Sequence, residues 1–251
     1  AHARWAAVRV WSDEPVSLQR TLTSLTTGWV ASLQVDRLLA AGRSGRPRVA
    51  LDLLIASVSL SMVAVLQNID VLIVGRDNSS HSGAYAAVSV TSKAIVFGAI
   101  VLGGYLLPEA AIRWRQGGHA LRQLAVVLVL LAIPAAILMV VALTTPRLLL
   151  QVVFHHAYVT AAPALAPLVA SMIVLSVTVI LTMYLLAIGR RWVAGVLVLG
   201  SGALTIAVAA VHGAPRATAL ADLAVQSGVL FVVLFGFTVV HRVRVQRHSQ
   251  D

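Results

Sequence analysis

The stretch from Val49 to Val74 constrains the chain most, because it is apolar over more than the ~20 residues that cross a bilayer core. Near its far end it carries three polar side chains, Gln67, Asn68 and Asp70. Hydrocarbon penalises such groups unless they face protein or a water-filled cavity. The stretch therefore predicts a membrane-spanning helix in a protein that encloses something polar.

The composition excludes a soluble globule with a single core. Of the 251 residues, 59% are hydrophobic and only 11% are charged, against ~25% charged in an ordinary soluble domain. The net charge of +10 comes from arginines that lie in clusters between apolar runs, which is typical of membrane topology rather than of nucleic acid binding. The absence of cysteine excludes disulfides and thiolate metal sites. Eighteen arginines accompany a single lysine, a bias that points to a bacterial source.

Five more apolar runs follow, at 83–107, 123–144, 163–188, 192–211 and 220–240. Each is long enough to cross a bilayer, and short breaks with proline, glycine and charge separate them. We therefore predict an all-α fold, a polytopic bundle of six transmembrane helices over 49–240, in which helices joined by short loops pack as neighbours. Residues 241–251 form a basic cytoplasmic tail.

The N-terminal segment, residues 1–48, is less regular. Larger apolar residues recur every three to four positions from Leu18 to Leu33, which predicts an amphipathic helix. This stretch is too short and too polar for a confident span. A cytoplasmic helix lying in the membrane interface is one interpretation, and the remnant of a truncated span is the other.

Arginine placement predicts the topology, since cytoplasmic loops carry an excess of positive charge. Eleven arginines lie in the segments on one side of the predicted bundle, and three lie in the segments on the other side. The first set is Arg43, Arg46, Arg48, Arg113, Arg115, Arg122, Arg190, Arg191, Arg242, Arg244 and Arg247; the second is Arg76, Arg147 and Arg216. Both chain ends are therefore expected in the cytoplasm, in a multi-pass protein of the cytoplasmic membrane.

Lys93, the single lysine, falls roughly 15 Å into the second span at ~1.5 Å per residue, and Asp70 falls roughly 6 Å into the first. Ser89 and Tyr85 give Lys93 a polar stripe, and Gln67 shares a face with Asp70. One interpretation is a cavity wall where Lys93 meets an anionic group. The other is an Asp70–Lys93 pair that only neutralises itself. Both interpretations turn the two charges toward the protein interior.

Other polar residues carry weaker signals. Asp222 and Gln226, four residues apart in the sixth run, either line the same cavity or leave Asp222 as a helix cap, and the cap is slightly favoured. His155 and His156 are expected to lie in an ordinary loop. Two adjacent histidines alone make a poor metal site, because their side chains point apart. No nucleotide-binding loop or hydrolase motif occurs, so we expect neither an enzyme nor a cofactor or metal.

Several segments together resemble the second half of the bacterial polysaccharide flippases, members of the multidrug/oligosaccharidyl-lipid/polysaccharide exporter superfamily. These segments are LeuGlnAsnIleAspValLeuIleVal (66–74), GlyAlaTyrAlaAlaValSerValThrSerLysAla (83–94), LeuLeuProGluAla (106–110), the stretch 154–168 and TyrLeuLeuAlaIleGlyArg (184–190). The chain departs from the family pattern at Phe154-His155, where the family usually has Phe-Gly.

The resemblance implies an alternating-access transporter of two six-helix halves around a central cavity, which moves a lipid-linked oligosaccharide across the membrane for polysaccharide or cell-envelope biosynthesis. This chain would supply the second half, with another six-helix half upstream or in a partner subunit. By position, Asn68, Asp70 and Lys93 would lie on cavity-facing helices.

Three other functions compete with a flippase. A cation-coupled drug exporter of the same superfamily would need an intramembrane acid, for which Asp70 is the candidate. A membrane-embedded glycosyltransferase or ligase would need a large outer loop, and the predicted outer loops are short. An assembly subunit left by truncation is the last alternative.

The predicted topology is tested by single cysteines, which the cysteine-free chain makes unambiguous. Cysteines replacing Ser79 and Arg216 should react with an impermeant maleimide from outside the cell, and a cysteine replacing Gly117 should react only after permeabilisation. Labelling at Gly117 in intact cells would refute the arrangement.

Overall fold

The computed structural model describes residues 46–115, 121–154 and 156–248. The chain divides into two compact units, Ala1–Leu54 and Ile55–Asp251. Of the first unit, only the beginning of one helix is described, so the predicted interfacial segment at 1–48 lies almost wholly outside the described residues.

The regular structure of the described residues is entirely helical, as predicted. The seven α-helices, in chain order, are α1 (Arg46–Asp77), α2 (Ser79–Arg115), α3 (Leu121–Thr144), α4 (Pro146–Val153), α5 (Ala162–Ala187), α6 (Trp192–Ala209) and α7 (Pro215–His248). A 3-10 helix, His156–Ala161, joins α4 to α5.

Six of these helices are long and apolar enough to cross a membrane, which makes this a multi-pass membrane protein. Their spanning segments are Leu51–Asp77, Ser82–Leu106, Leu121–Thr144, Tyr158–Ala187, Trp192–Ala209 and Pro215–Thr238. The predicted count is confirmed, and most boundaries agree within a few residues. The region between α3 and α5, predicted to be a loop, instead holds α4 and the 3-10 helix.

Helix α5 forms the centre of the bundle. Two thirds of its most apolar window is buried, against about a fifth for α3, although α3 is the more hydropathic of the two. α5 packs chiefly against α2 and α7, and α6 packs against α7. The expectation that helices adjacent in sequence are the closest neighbours is therefore wrong for α5. Although a short loop joins α5 to α6, it is α7 that packs more extensively against α5.

One residue, Asn78, separates α1 from α2. Its side-chain amide donates a hydrogen bond of 3.5 Å to the carbonyl oxygen of Gly213, in the turn between α6 and α7. Gly213 has a φ of +71°, and a Cβ there would lie 3.0 Å from the Cβ of Asn78. The contact therefore needs glycine both for its backbone conformation and for its size. It brings two connections to the same end of the bundle.

Helix α6 approaches α7 closely at Gly200. A Cβ on Gly200 would lie 2.5 Å from Cγ2 of Val229, whereas a Cβ on Gly202 would meet nothing within 4 Å. Small residues at such positions let helix backbones approach in membranes. The two helices are therefore in close contact at Gly200 and not at Gly202.

Gly200→Ala should therefore destabilise the purified protein by ~1–3 kcal/mol, because valine is stiff at χ1 and the overpacking cannot relax. Gly202→Ala is the matched control on the same helix and should leave the thermal unfolding midpoint unchanged or slightly raised. Combining Gly200→Ala with Val229→Ala should recover part of the loss. Equal midpoints for the two single variants would contradict the described packing.

Candidate functional site

Asp70 is a fully buried acid on α1. The Tyr85 hydroxyl on α2, also fully buried, donates a hydrogen bond of 2.9 Å to Oδ2 of Asp70. Because α1 continues to Asp77, Asp70 lies seven residues from its end, or about 10 Å along the axis. It is thus deeper than the sequence predicted, and it faces protein rather than lipid, as expected from the cost of charge in hydrocarbon.

Asp222 is a second fully buried acid, on α7. The interpretation of Asp222 as a helix cap is wrong, because α7 begins seven residues earlier at Pro215. Instead the Ser171 hydroxyl on α5 donates a hydrogen bond of 2.5 Å to Oδ2 of Asp222. Nε2 of Gln226, one turn along α7, donates to Oδ1 at 3.3 Å. Asp222 therefore belongs to the bundle interior.

Gln226 also connects α7 to α1. Its Nε2 lies 3.2 Å from the carbonyl oxygen of Leu66, while its Oε1 is buried without a partner. Asp222 interacts electrostatically with both Asp70 and Lys93. The two acids, although distant in sequence, therefore belong to one group of buried polar residues inside the bundle, to which α1, α2, α5 and α7 all contribute. We call this group the polar cluster and define it as Gln67, Asp70, Tyr85, Ser89, Lys93, Ser171, Asp222 and Gln226.

Lys93 lies at the border of the polar cluster and is 6% exposed. Its Nζ donates a hydrogen bond of 3.1 Å to Oδ1 of Asn68, an exposed residue on α1 whose own amide donates to the Ala64 carbonyl. Among the described residues no carboxylate lies in direct ion-pair contact with Lys93, so Asp70 and Lys93 interact electrostatically without touching. The ammonium carries three donors, and Asn68 uses one of them.

Several buried polar atoms of the polar cluster have no hydrogen-bond partner. They are Nε2 of Gln67, Oδ1 of Asp70, Oγ of Ser89 and Oε1 of Gln226. Such atoms are rare inside proteins and usually mark a bound water, an ion or a functional role. All four belong to residues that the sequence marked as candidates for a cavity lining. The bundle buries every one of the eight candidates except Asn68.

The charge balance of the polar cluster decides what it can do chemically. Two ionised carboxylates beside one ammonium leave one negative charge in excess. A low-dielectric interior penalises such an excess. A proton or a bound cation would remove the excess charge, and a movement of the Lys93 ammonium would change how well it is compensated. No group of three His, Asp or Glu side chains that would hold a metal ion occurs in the described ranges.

Ser171 is the contributor that sequence reasoning missed. A single serine in an apolar span is ordinary, because its hydroxyl usually bonds the carbonyl four residues earlier, as Ser176 does to Met172. Only the packing of α5 against α7 turns Ser171 toward Asp222. Of the paired histidines, His155 lies outside the described residues and His156 begins the 3-10 helix.

The chain matches no family model, no curated protein and no solved structure. The likeness to polysaccharide flippases therefore stands on the quoted residues alone.

Proposed function

We propose that this chain is half of an alternating-access transporter that translocates an anionic, lipid-linked oligosaccharide across the cytoplasmic membrane. The observation that carries the proposal is Lys93, a buried ammonium held by a neutral amide instead of a carboxylate. Among the described residues no carboxylate contacts this ammonium, and Asn68 takes one of its three donors. The substrate class comes from the family resemblance.

The charge of such a substrate fits this position. A pyrophosphate that enters a low-dielectric cavity loses hydration and needs a compensating cation. Lysine supplies a compact charge on a flexible stem, which can follow a moving phosphate without fixed bidentate geometry. Asn68, which holds the ammonium, is itself exposed on α1. The Lys93 ammonium therefore sits one side chain away from the surface of the bundle.

The proposed partners follow from the same surface. Asn68 would be unfavourable against acyl chains, so the surface that carries it is assigned to a central cavity shared with a second six-helix half. That half is either upstream in the same polypeptide or a separate subunit. Membrane lipids cover the remaining apolar surface, which includes Phe97 (59% exposed) and Val101 (72% exposed) on α2.

Binding of a polyisoprenyl pyrophosphate tests the role of Lys93. The purified protein in nanodiscs should bind it more tightly than the corresponding polyisoprenol. Lys93→Met, of similar length and without charge, should weaken pyrophosphate binding by about tenfold, or about 1.4 kcal/mol, and leave polyisoprenol binding unchanged. Arg216→Gln removes an exposed cation on α7 as a matched control and should change neither.

Two results would refute this role. One is equal pyrophosphate affinity in Lys93→Met and the unaltered protein. The other is full recovery of binding in Lys93→Met with Asp70→Asn, because recovery on removing the acid would make the lysine structural.

A second candidate function, cation-coupled export of a small molecule, is favoured by the two buried acids beside a single ammonium, because ionising both acids would leave one negative charge to compensate. Oδ1 of Asp70 and Oε1 of Gln226 are buried acceptors without a donor, as a monovalent cation would require. Such a site would give an exporter its driving ion. The two functions are not exclusive, since a flippase also needs a source of energy.

Thermal unfolding in sodium chloride, against N-methylglucamine chloride at equal ionic strength, tests for this cation. A bound cation should stabilise the protein by about 2.7 kcal/mol at a hundredfold excess over Kd. Asp70→Asn should abolish the sodium effect, and Asp77→Asn, at the exposed end of α1, should preserve it. No difference between the two salts in the unaltered protein would reject sodium as the coupling ion.

A further inference from the structure

Helix α4 is a short surface helix whose position is set by the span before it. Only Thr145 separates it from the end of α3 at Thr144, and α3 is the most hydropathic of the six spans. A helix that begins two residues after a span ends must start near the boundary between hydrocarbon and headgroups. Pro146 occupies its first turn, where the missing N–H costs nothing.

The inward side of α4 packs on the bundle. Leu150 is fully buried, and Leu149 packs against the hydrophobic core. α4 contacts α3, α5 and the 3-10 helix. This contact fixes the rotation of α4 about its own axis, so the other residues have defined directions.

The outward side of α4 is divided lengthwise into two stripes. Leu148 and Val152, four residues apart and so on one face, are 59% and 77% exposed. Arg147 and Gln151, also four apart and exposed, form the neighbouring stripe. At about 100° per residue the two stripes diverge by roughly a quarter turn around the helix. Val153, about 100° beyond Val152 and away from the polar stripe, is also 55% exposed. One flank is therefore polar, and the apolar flank extends from Leu148 and Val152 to Val153.

We propose that α4 lies in the membrane–water interface, with Leu148 and Val152 among the acyl chains and Arg147 and Gln151 at the phospholipid headgroups. The lengthwise division matches the two sides of that boundary, which is how amphipathic helices bind lipid surfaces. Arginine is suited to this position because its guanidinium pairs with phosphate oxygens in a bidentate manner. The inference is independent of the substrate proposed above.

A protein partner is the competing occupant, and the stripes argue against it. A helix covering both stripes would bury Arg147 beside Leu148 and would have to supply an acceptor for the guanidinium. Lipid satisfies both stripes at once and needs no further chain. The same span that positions α4 also guarantees that lipid is present beside it.

Site-directed spin labelling tests the proposal residue by residue. Single cysteines replace Arg147, Leu148, Gln151 and Val152 in the cysteine-free chain, and each labelled protein is reconstituted in phosphatidylcholine–phosphatidylglycerol vesicles. Collisions with oxygen report hydrocarbon, and collisions with a nickel chelate report water. Ile137 on α3, which is 61% exposed, provides the lipid reference, and Arg190, exposed between α5 and α6, provides the water reference.

Labels at 148 and 152 should match the Ile137 reference, with oxygen collisions several-fold more frequent relative to nickel than at 147 and 151. Equal nickel access at all four positions would place α4 in water and overturn the proposal. Restricted labels shielded from both reagents would identify a protein partner instead and overturn it equally. An unchanged thermal unfolding midpoint for each labelled protein shows that the substitutions leave the fold intact.

Discussion

The structure depends on one constraint, that charge inside a hydrocarbon-embedded bundle must be solvated by the protein itself. Polar side-chain contacts inside the bundle meet this requirement, and the same kind of contact connects α1 to its neighbours. Tyr85 on α2 donates to Asp70, Gln226 on α7 donates to the Leu66 carbonyl, and the Ser201 hydroxyl on α6 lies 3.3 Å from the Met62 carbonyl. Helix α1 is thereby fixed to three helices by side-chain hydrogen bonds.

Hydrophobic length made the six spans predictable, because crossing a bilayer is a property of each segment alone. Burial of Asp70 and Lys93 was predictable for the same reason, since any charge in a span is driven inward. The central place of α5 was not. Lipid is as apolar as a protein core, so hydropathy cannot distinguish α3, which faces outward, from α5, which does not. The partners of Asp222 depend on that packing, and the sequence favoured a cap instead.

The two functions proposed for the polar cluster share one charge balance. Lys93 offsets part of the negative charge of Asp70 and Asp222 while Asn68 holds its ammonium. An anionic substrate that draws the ammonium away removes this compensation, and the acids then attract a proton or a cation more strongly. Substrate binding and cation binding at such a cluster would favour one another, which is the thermodynamic condition for coupling their movement.

The connection through Asn78 has a mechanical consequence. A single residue between two long helices keeps their adjoining ends about one helix diameter apart, and the bond to Gly213 attaches that corner to the turn before α7. If α1 and α2 move apart, this corner acts as the hinge, and the separation of the two helices increases with distance from it. Asp70 and Tyr85 lie near this hinge. Lys93 lies about twice as far along α2 as Tyr85, so the same rotation of α2 would displace Lys93 further from α1.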